Sequence, residues 1–474
     1  MKRLVIIGGG IAGLSAAWEA SRSRADWDVT LIERDERLGG KIRTDSIEGF
    51  VLEQGPDSFL TQKPEALRLC EALGIAERLV PRSPRGGHSF IMHGHTLAPL
   101  PDGFSGLVPM DTAALAVSPL LSEAGRRRAM QAHTAPGADS ASPQADSLPV
   151  AAGGDDESVA SFVVRRFGEE VFQLIVEPLV GGIHAGDASQ LSRAAILGSP
   201  QRAGEPRRTP GPRREEAVPP ARPPFVAFPG GMAELVRRME ERLDGVTVLR
   251  GTAADAVRRR GGGYIVDVSD GGRREADALI LAAPAHETAR LVASLDPGMQ
   301  DRLRLIPFAS TVVIHLAYRR SDVAHPLDGY GYLIPSVERS DLVACSWISQ
   351  KWEGRAPADR VLLRLFAGRF GRRDLLGTPD EELFGIARGE LSATLGITAE
   401  PVLQKIHRWD MGMPQYTVGH LRRVEDIMAR AAAFPGLFLA GSSYGGVGIP
   451  QCVESGARAS SDALHYLVRQ GALK

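Results

Sequence analysis

The amino-acid sequence predicts an α/β fold, and three observations near its N-terminus carry the prediction. The first is a short apolar run, Leu4–Ile7, followed directly by the glycine-rich segment Gly8–Gly13. The second is a stretch of good helix formers, Leu14–Ala20, and the third is another apolar run, Val29–Ile32, which ends at Glu33. Strand, tight turn, helix, strand and acid in this order are typical of a Rossmann-like unit that binds a dinucleotide.

The glycine-rich segment fits the pattern G-x-G-x-x-G. Gly8 permits the sharp turn out of the strand, Gly10 lets backbone N–H groups approach a pyrophosphate, and Gly13 lets the helix pack closely on the strand. The helix N-terminus offers unpaired donors to the phosphates. Glu33, twenty residues past Gly13, is placed to accept hydrogen bonds from an adenosine ribose. The predicted nucleotide-binding residues in this part are Gly8, Gly9, Gly10, Ile11, Ala12, Gly13, Glu33 and Arg34.

Composition limits the class of protein. The chain has 474 residues, enough for two or three domains, and its formal net charge of -1 argues against attraction to nucleic acid. Cys70, Cys345 and Cys452 are too widely spaced to suggest a disulfide framework, and no metal site is predicted. No apolar run reaches the roughly 18 residues of a membrane-spanning helix. The N-terminal apolar run belongs to the nucleotide site rather than to a signal peptide, so we expect a cytoplasmic protein.

The residues after Glu33 distinguish between nucleotides. Arg37-Leu38-Gly39-Gly40-Lys41 adds a glycine pair and a cation. This continuation resembles FAD-binding amine oxidases, carotenoid desaturases and porphyrinogen oxidases, in which the loop runs under the FAD pyrophosphate. The resemblance implies FAD rather than NAD as the cofactor, and it places Gly40 and Lys41 in the cofactor site.

A second motif narrows the resemblance. Gly55-Pro56-Asp57-Ser58-Phe59 follows a predicted strand, and together with the preceding loop it is similar to the protoporphyrinogen/coproporphyrinogen oxidase family. In that family this turn passes next to the flavin, which implies that Gly55, Pro56, Asp57 and Ser58 are cofactor neighbours. Pro414-Gln415-Tyr416, with Gly419 and His420, is close to another segment of the family.

The resemblance divides the chain into interleaved segments. FAD binding is expected from residues 1–75, 225–300 and 425–474. A mixed-sheet substrate domain is expected from residues 76–95 and 301–424, and a small helical subdomain from residues 96–199, with a flexible loop at 133–154. Residues 200–224, rich in proline and arginine, depart from the family and are expected to form a long loop, with replacement of part of the substrate cover as the alternative. The expected fold is therefore α/β, with a Rossmann-like FAD-binding domain built from discontinuous segments.

The resemblance also implies roles for single residues elsewhere. Gly182, in a predicted glycine-rich turn at 181–187, is expected beside the flavin ring and the substrate, with a plain turn between two helices as the alternative. Ala254 is expected to meet the adenine edge through its backbone. Trp409 is expected against the flavin, with an ordinary core aromatic as the alternative. The C-terminal strand and helix are expected to complete the site through Gly441, Val447, Gly448 and Ile449.

The apolar region Phe104–Leu121, followed by Arg126-Arg127-Arg128, has two interpretations. Short helices packed over a substrate cavity are one interpretation, and shallow contact with a membrane surface is the other. The expected cytoplasmic location therefore includes peripheral membrane association as an open alternative.

The expected reaction follows from the single nucleotide fingerprint. No second site for a nicotinamide nucleotide is evident, so reoxidation of the reduced flavin by dioxygen or another acceptor is expected, and an oxidase is favoured over a reductase. Gly441-Ser442-Ser443-Tyr444-Gly445 matches the hydrolase pattern G-x-S-x-G, but its strand leads into a flavin-type turn. The family's substrates are porphyrinogens of haem biosynthesis, and their propionates require a cation. Lys63 is the candidate for that role, with a solvated surface lysine as the alternative.

Two other functions stay open. One is a different flavin amine oxidase or carotenoid-desaturase-type oxidoreductase, which the motifs at 55–59 and 414–416 argue against. The other is a non-catalytic flavin- or porphyrin-binding protein, which the atypical stretch at 200–224 makes worth considering. The sequence does not choose between coproporphyrinogen III and protoporphyrinogen IX, and it makes no prediction of the oligomeric state.

Overall fold

The structure is a computed structural model that describes residues 1–23, 27–84, 87–102, 104–105, 107–109, 112–131, 156–197 and 223–472. The predicted flexible loop at 133–154 and most of the predicted loop at 200–224 lie outside these ranges. Within them, no helix is both long enough and apolar enough to cross a membrane.

The strands of the described part are β1 Lys2–Ile7, β2 Trp27–Ile32, β3 Thr44–Ile47, β4 Phe50–Glu53, β5 Phe59–Leu60, β6 Val80–Pro81, β7 His88–His93, β8 Thr96–Pro99, β9 Phe104–Ser105, β10 Val108–Pro109, β11 Phe225–Ala227, β12 Val246–Leu249, β13 Ala254–Arg260, β14 Gly263–Val268, β15 Arg273–Ala276, β16 Ala278–Leu281, β17 Phe308–Arg319, β18 Gly329–Leu333, β19 Leu342–Trp347, β20 Arg360–Ala367, β21 Leu403–Pro414 and β22 Leu437–Leu439.

The α-helices of the same ranges are α1 Ile11–Ser21, α2 Glu65–Ala72, α3 Thr112–Ala116, α4 Glu123–Gln131, α5 Val159–Phe167, α6 Glu169–Val171, α7 Glu177–His184, α8 Arg193–Leu197, α9 Ala233–Glu240, α10 Ala285–Leu291, α11 Pro297–Arg304, α12 Ile348–Lys351, α13 Asp380–Leu395, α14 His420–Ala432 and α15 Ile449–Ala472. A π-helical turn, Phe172–Val176, joins α6 to α7.

The chain forms two compact units, each assembled from separate segments. Unit 1 comprises Met1–Arg82, Pro223–Pro307 and Arg422–Lys474, and unit 2 comprises Ser83–Arg222 and Phe308–Leu421.

Unit 1 is built on a parallel sheet with the strand order β12-β2-β1-β16-β22. Ile7, at the end of β1, lies between Ile32 of β2 and Leu281 of β16, so the carboxyl ends of these strands share one edge of the sheet. The central strands are almost continuously apolar and buried, as expected for a parallel sheet covered on both faces. The predicted α/β fold class is confirmed.

The N-terminal helix α1 and the C-terminal helix α15 pack against each other in unit 1. A Cβ atom added to Gly456 would lie only 2.0 Å from the carbonyl oxygen of Ala12. The absence of a side chain at Gly456 therefore permits the close approach of the two helices. The contact joins the two ends of the chain beside the parallel sheet.

Unit 2 contains a mixed sheet with the order β21-β17-β20-β19-β18-β7-β8. Its neighbouring strands run antiparallel except for β18 and β7, which are parallel. One buried cluster covers this sheet and includes Trp347 and Tyr332. A second cluster lies among the helices and includes Leu115, Val163 and Val176.

The predicted glycine-rich turn at 181–187 is wrong in its first half. Gly181 and Gly182 belong to the last turn of α7, and the C-cap residue Ala185 has the left-handed conformation with φ 48° and ψ 33°. Cβ atoms on Gly181 and Gly182 would lie 2.6 Å from Arg369 Nη2 and Leu333 Cδ2, respectively. These glycines therefore let the helix lie close to neighbouring side chains, rather than breaking it.

Candidate functional site

The three glycines of the N-terminal motif have different surroundings in unit 1. Gly8 has φ +106°, and a Cβ atom on it would lie 2.9 Å from the carbonyl carbon of Ala282. A Cβ atom on Gly13 would lie 1.8 Å from the Gly8 carbonyl oxygen. Beside Gly10, in contrast, no described heavy atom outside its chain neighbours would come within 4 Å of a Cβ. Gly8 and Gly13 are thus required by packing, whereas Gly10 leaves a space open.

The N-terminus of α1 begins at this open space. Gly10 is the N-cap, with φ -67° and ψ 177°, and its carbonyl accepts the Leu14 N–H at 2.9 Å. The N–H groups of Ile11, Ala12 and Gly13 come earlier in the helix and have no acceptor within it. The first turn carries no acidic residue, so these donors and the helix dipole favour an anion.

Glu33 lies at the end of β2, and its carboxylate is buried. Oε2 accepts the Gly9 N–H at 2.6 Å, and Oε1 accepts the Asp35 N–H at 2.9 Å. Two carboxylate oxygens provide about four acceptor positions, so capacity for ribose hydroxyls is retained. The sequence predicted the ribose role but not the hydrogen bond that ties Glu33 to the glycine loop.

The second glycine pair lies against the first. The Gly39 N–H donates to the Gly9 carbonyl at 2.8 Å, and a Cβ atom on Gly40 would lie 3.1 Å from Gly10 Cα. Arg37 holds this loop, because its guanidinium donates to the Gly40 carbonyl at 2.6 Å and to the Ile42 carbonyl at 3.2 Å. Arg37 was not among the predicted site residues, although its place beside the glycine pair was the available signal.

Lys41 in the N-terminal loop and Cys452 in the first turn of α15 lie close enough to influence each other's pKa. Burial lowers the pKa of Lys41, while its interaction with Cys452 acts in the opposite direction. Burial raises the pKa of the Cys452 thiol to about 11, and Lys41 opposes that shift. A Cβ atom on Gly55 would lie 1.8 Å from the Lys41 carbonyl oxygen, so the predicted Gly55–Ser58 turn also lies at this loop.

The C-terminal segment 441–449 links β22 to α15. Gly441 has φ +116°, and its N–H donates to Ser455 Oγ at 3.0 Å. Ser443 is buried, and its hydroxyl accepts the Ala285 N–H at 3.0 Å, next to the start of α10. This structural role agrees with rejection of the hydrolase interpretation. Val447 and Gly448 are half-buried and lead directly into α15 at Ile449.

Ala254 begins β13 and is buried. The pairing of β13 with β14 shifts between Ala254 and Ala256, which forms a β-bulge. The segment is tied to the end of β2, because the Thr252 N–H donates to the Glu33 carbonyl at 2.9 Å. The predicted adenine contact and the predicted ribose contact therefore lie on neighbouring segments.

Two other predicted residues of unit 1 lie on its surface. Arg34 is exposed and approaches Glu287, with 3.5 Å between Nη1 and Oε1. Lys63 is exposed in the segment before α2. Asp57 accepts a hydrogen bond from the Ser58 hydroxyl at 2.8 Å. The surface positions of Arg34 and Lys63 do not contradict the ligand roles predicted for them, and both roles stay predictions.

Within unit 2, the segment Pro414–Tyr416 is joined to the end of α7. Gln415 Nε2 donates to the His184 carbonyl at 2.9 Å, and the Ser192 N–H donates to the Tyr416 carbonyl at 2.7 Å. Gly182 is exposed on that last turn of α7. Trp409 is half-buried on β21 and meets His407 edge to face at 4.3 Å between ring centroids. The structure thus brings two separately predicted segments of unit 2 together.

A buried ion pair lies at the opposite end of α7. Glu177 pairs with Arg369, and its second carboxylate oxygen accepts the Ser336 N–H at 3.0 Å. Burial lowers the pKa of Arg369 to about 10, and burial lowers the pKa of His184 to about 4. Among the described residues, no group of three or more His, Cys, Asp or Glu side chains is arranged to hold a metal ion.

Comparison with known proteins gives consistent matches along the chain. A family described as flavin containing amine oxidoreductase matches residues 11–464. Coproporphyrinogen III oxidase of Bacillus subtilis (strain 168) is 32% identical over 98% of both chains. Protoporphyrinogen oxidase 1, chloroplastic, of Arabidopsis thaliana is 26% identical over 98% of this chain and 88% of its own.

Solved structures match over similar lengths. A crystal structure from Exiguobacterium sp. 255-15, provisionally assigned as a protoporphyrinogen oxidase, has a TM-score of 0.81 and 30% identity, covering 98% of this chain and 99% of its own. Reduced UDP-galactopyranose mutase has a TM-score of 0.71 at 16% identity, covering 98% of this chain and 94% of its own, and shares the fold.

Proposed function

The chain belongs to the flavin containing amine oxidoreductase family, and from this premise we propose that it is an FAD-dependent coproporphyrinogen III oxidase of haem biosynthesis. The observation that supports coproporphyrinogen III as the substrate is the 32% identity with the Bacillus subtilis coproporphyrinogen III oxidase over 98% of both chains. Protoporphyrinogen IX is the second candidate, because the Exiguobacterium structure with a TM-score of 0.81 is assigned to that reaction.

The residues present fit FAD. The open space beside Gly10, the donors at the start of α1 and the buried carboxylate of Glu33 match a pyrophosphate and a ribose in their usual order. We assign the cofactor site to the residues predicted from the sequence, with Arg37 added as the residue that holds the glycine loop. Gly182, Lys63 and Trp409 keep the roles that the family resemblance implies.

FAD, when bound, supplies two-electron oxidation, and three rounds convert a porphyrinogen to the porphyrin. The protein's part is to bind and orient both molecules. The α1 donors would hold the pyrophosphate and Glu33 would accept from the ribose, while Arg37 keeps the loop at 38–42 in place through the Gly40 and Ile42 carbonyls. We assign dioxygen as the electron acceptor, because one nucleotide fingerprint is visible in the chain.

The test is anaerobic mixing of the purified protein with coproporphyrinogen III and, separately, with protoporphyrinogen IX while flavin absorbance is followed. We expect bleaching with coproporphyrinogen III, and then coproporphyrin fluorescence with recovery of flavin absorbance when air is admitted. A Gly10→Asp variant is the matched control, since its carboxylate occupies the open space and opposes phosphate binding. Bound flavin that bleaches with neither porphyrinogen would overturn the proposal.

Membrane contact is tested separately. Val117 is 78% exposed and lies shortly before the three arginines of α4, whereas Leu120 and Leu121 between them are buried. Sedimentation with vesicles of anionic lipid, compared for the natural chain and Val117→Asp, distinguishes a membrane surface from a plain helical surface.

A further inference from the structure

We infer that Arg290 is a positioning residue for the adenosine half of FAD. Its guanidinium holds the β-bulge at the start of β13 in the place from which the Ala254 backbone meets the adenine. The inference rests on the proposed function, in which FAD is the cofactor and Ala254 lies at the adenine edge.

The bulge creates the need for such a residue. In the antiparallel pairing of β13 with β14, Ala254 lies opposite Val268 and Ala256 lies opposite Asp267, so Asp255 is the additional residue. A bulge disrupts the local ladder and leaves backbone groups without their regular strand partners. Backbone carbonyls in that position require other donors if the chain is to keep one conformation.

Arg290, in the last turn of α10, supplies those donors. Its Nη2 donates to the Ala254 carbonyl and its Nη1 donates to the Asp255 carbonyl, each at 2.6 Å. The planar fork of a guanidinium therefore fixes two consecutive carbonyls at once, which a lysine ammonium cannot reproduce with the same geometry.

The guanidinium is itself held in place. Arg290 Nε donates to Glu287 Oε2 at 3.2 Å, and Glu287 Oε1 lies 3.5 Å from Arg34 Nη1. Arg34 directly follows Glu33, and the Glu33 carbonyl accepts the Thr252 N–H at 2.9 Å. The network thus connects the end of β2, where the ribose is expected, with the bulge, where the adenine is expected.

The exposure of Arg290 favours a role in positioning the bulge over a role in the general stability of unit 1. The Arg290 side chain is 48% exposed, and its ion pair with Glu287 is on the surface. Exposed ion pairs contribute little to folding stability. Removal of the guanidinium should therefore change the position of the bulge more than it changes the stability of unit 1.

The experiment measures binding of FAD and FMN to apoprotein by quenching of flavin fluorescence. The proteins are the natural chain, Arg290→Met, Arg290→Lys and the control Arg260→Met. Arg260 lies at the far end of the same strand, is 68% exposed and pairs with Glu275. We expect Arg290→Met to weaken the binding of FAD about tenfold, in line with the loss of charge-assisted hydrogen bonds. FMN, which lacks the adenosine, should bind unchanged.

Arg290→Lys should lie between the natural chain and Arg290→Met, and Arg260→Met should match the natural chain. Unchanged FAD affinity in Arg290→Met, or an equal loss for FAD and FMN, would overturn the inference. If FMN binds too weakly to the natural chain, ADP replaces it as the probe, and its affinity is measured by competition with FAD. Loss of ADP affinity by the same factor as FAD supports the inference, and unchanged ADP affinity overturns it. A natural chain that binds no FAD would instead refute the proposed function.

Discussion

At the residue scale, the N-terminal glycines differ in what a side chain would meet. Gly8 and Gly13 are surrounded by backbone at 2.9 Å and 1.8 Å from an added Cβ atom, whereas Gly10 faces space left by the described residues. Gly10 also has φ -67° and ψ 177°, which any amino acid adopts at an N-cap. Folding and cofactor binding are therefore separable by substitution at these positions.

We predict that Gly10→Asp keeps the stability of the apoprotein and loses FAD. Aspartate is a favourable N-cap, but its carboxylate would repel a pyrophosphate in front of α1. Gly13→Asp, the matched control, should lower the thermal midpoint strongly, because its Cβ would overlap the Gly8 carbonyl oxygen. Thermal melting of the apoproteins and FAD titration check both results. Unchanged FAD affinity in Gly10→Asp would show that the pyrophosphate lies elsewhere.

His184 should make stability depend on acidity. Its pKa is lowered by burial to about 4 from the ordinary 6.5, so between these values the unfolded chain binds a proton that the folded chain excludes. The contribution of His184 to the free energy of unfolding is therefore fully present above pH 6.5. It falls as the pH decreases to 4, by up to about 3 kcal/mol. In urea unfolding at several pH values, the free energy of unfolding should decrease less steeply with falling pH for His184→Gln than for the natural chain. Parallel curves for the two proteins would contradict the assignment.

At the element scale, the crossing of α1 and α15 depends on one glycine. We predict that Gly456→Ala lowers the free energy of unfolding by about 1–3 kcal/mol, because its Cβ would lie 2.0 Å from the Ala12 carbonyl oxygen. Gly385, inside α13, has no described heavy atom within 4 Å of an added Cβ apart from its chain neighbours and the backbone of its own helix. Gly385→Ala is the control and should stabilise by about 0.5–1 kcal/mol. Thermal midpoints decide the prediction, and equal shifts for both variants would refute it.

At the scale of the whole molecule, unit 1 is assembled from the first, middle and last segments of the chain. Ligand binding to such a unit is coupled to the folding of all three segments. We predict that FAD at about one hundred times its Kd raises the free energy of unfolding by about 2.7 kcal/mol. Thermal melting across a range of FAD concentrations measures the effect. Gly10→Asp should show no shift, and a comparable shift in that variant would indicate non-specific stabilisation.

The sequence by itself determined the fold class, the family and FAD as the cofactor, and these predictions are confirmed. They were accessible because their signals are local. The strand, glycine turn, helix and acid of residues 4–33 are contiguous, and each residue type has one dominant physical role there. The individual site residues stay predictions for the experiments above.

Only the tertiary structure decided the contacts between distant segments. It placed Gly181 and Gly182 in a helix rather than in a turn. Glycine is explained there by close packing against Arg369 and Leu333, which leaves room only for small residues. It also joined Arg290 to the bulge at Ala254, thirty-six residues earlier. Neither contact has a signature in local periodicity, since each depends on which surfaces meet after the sheet and its helices have packed.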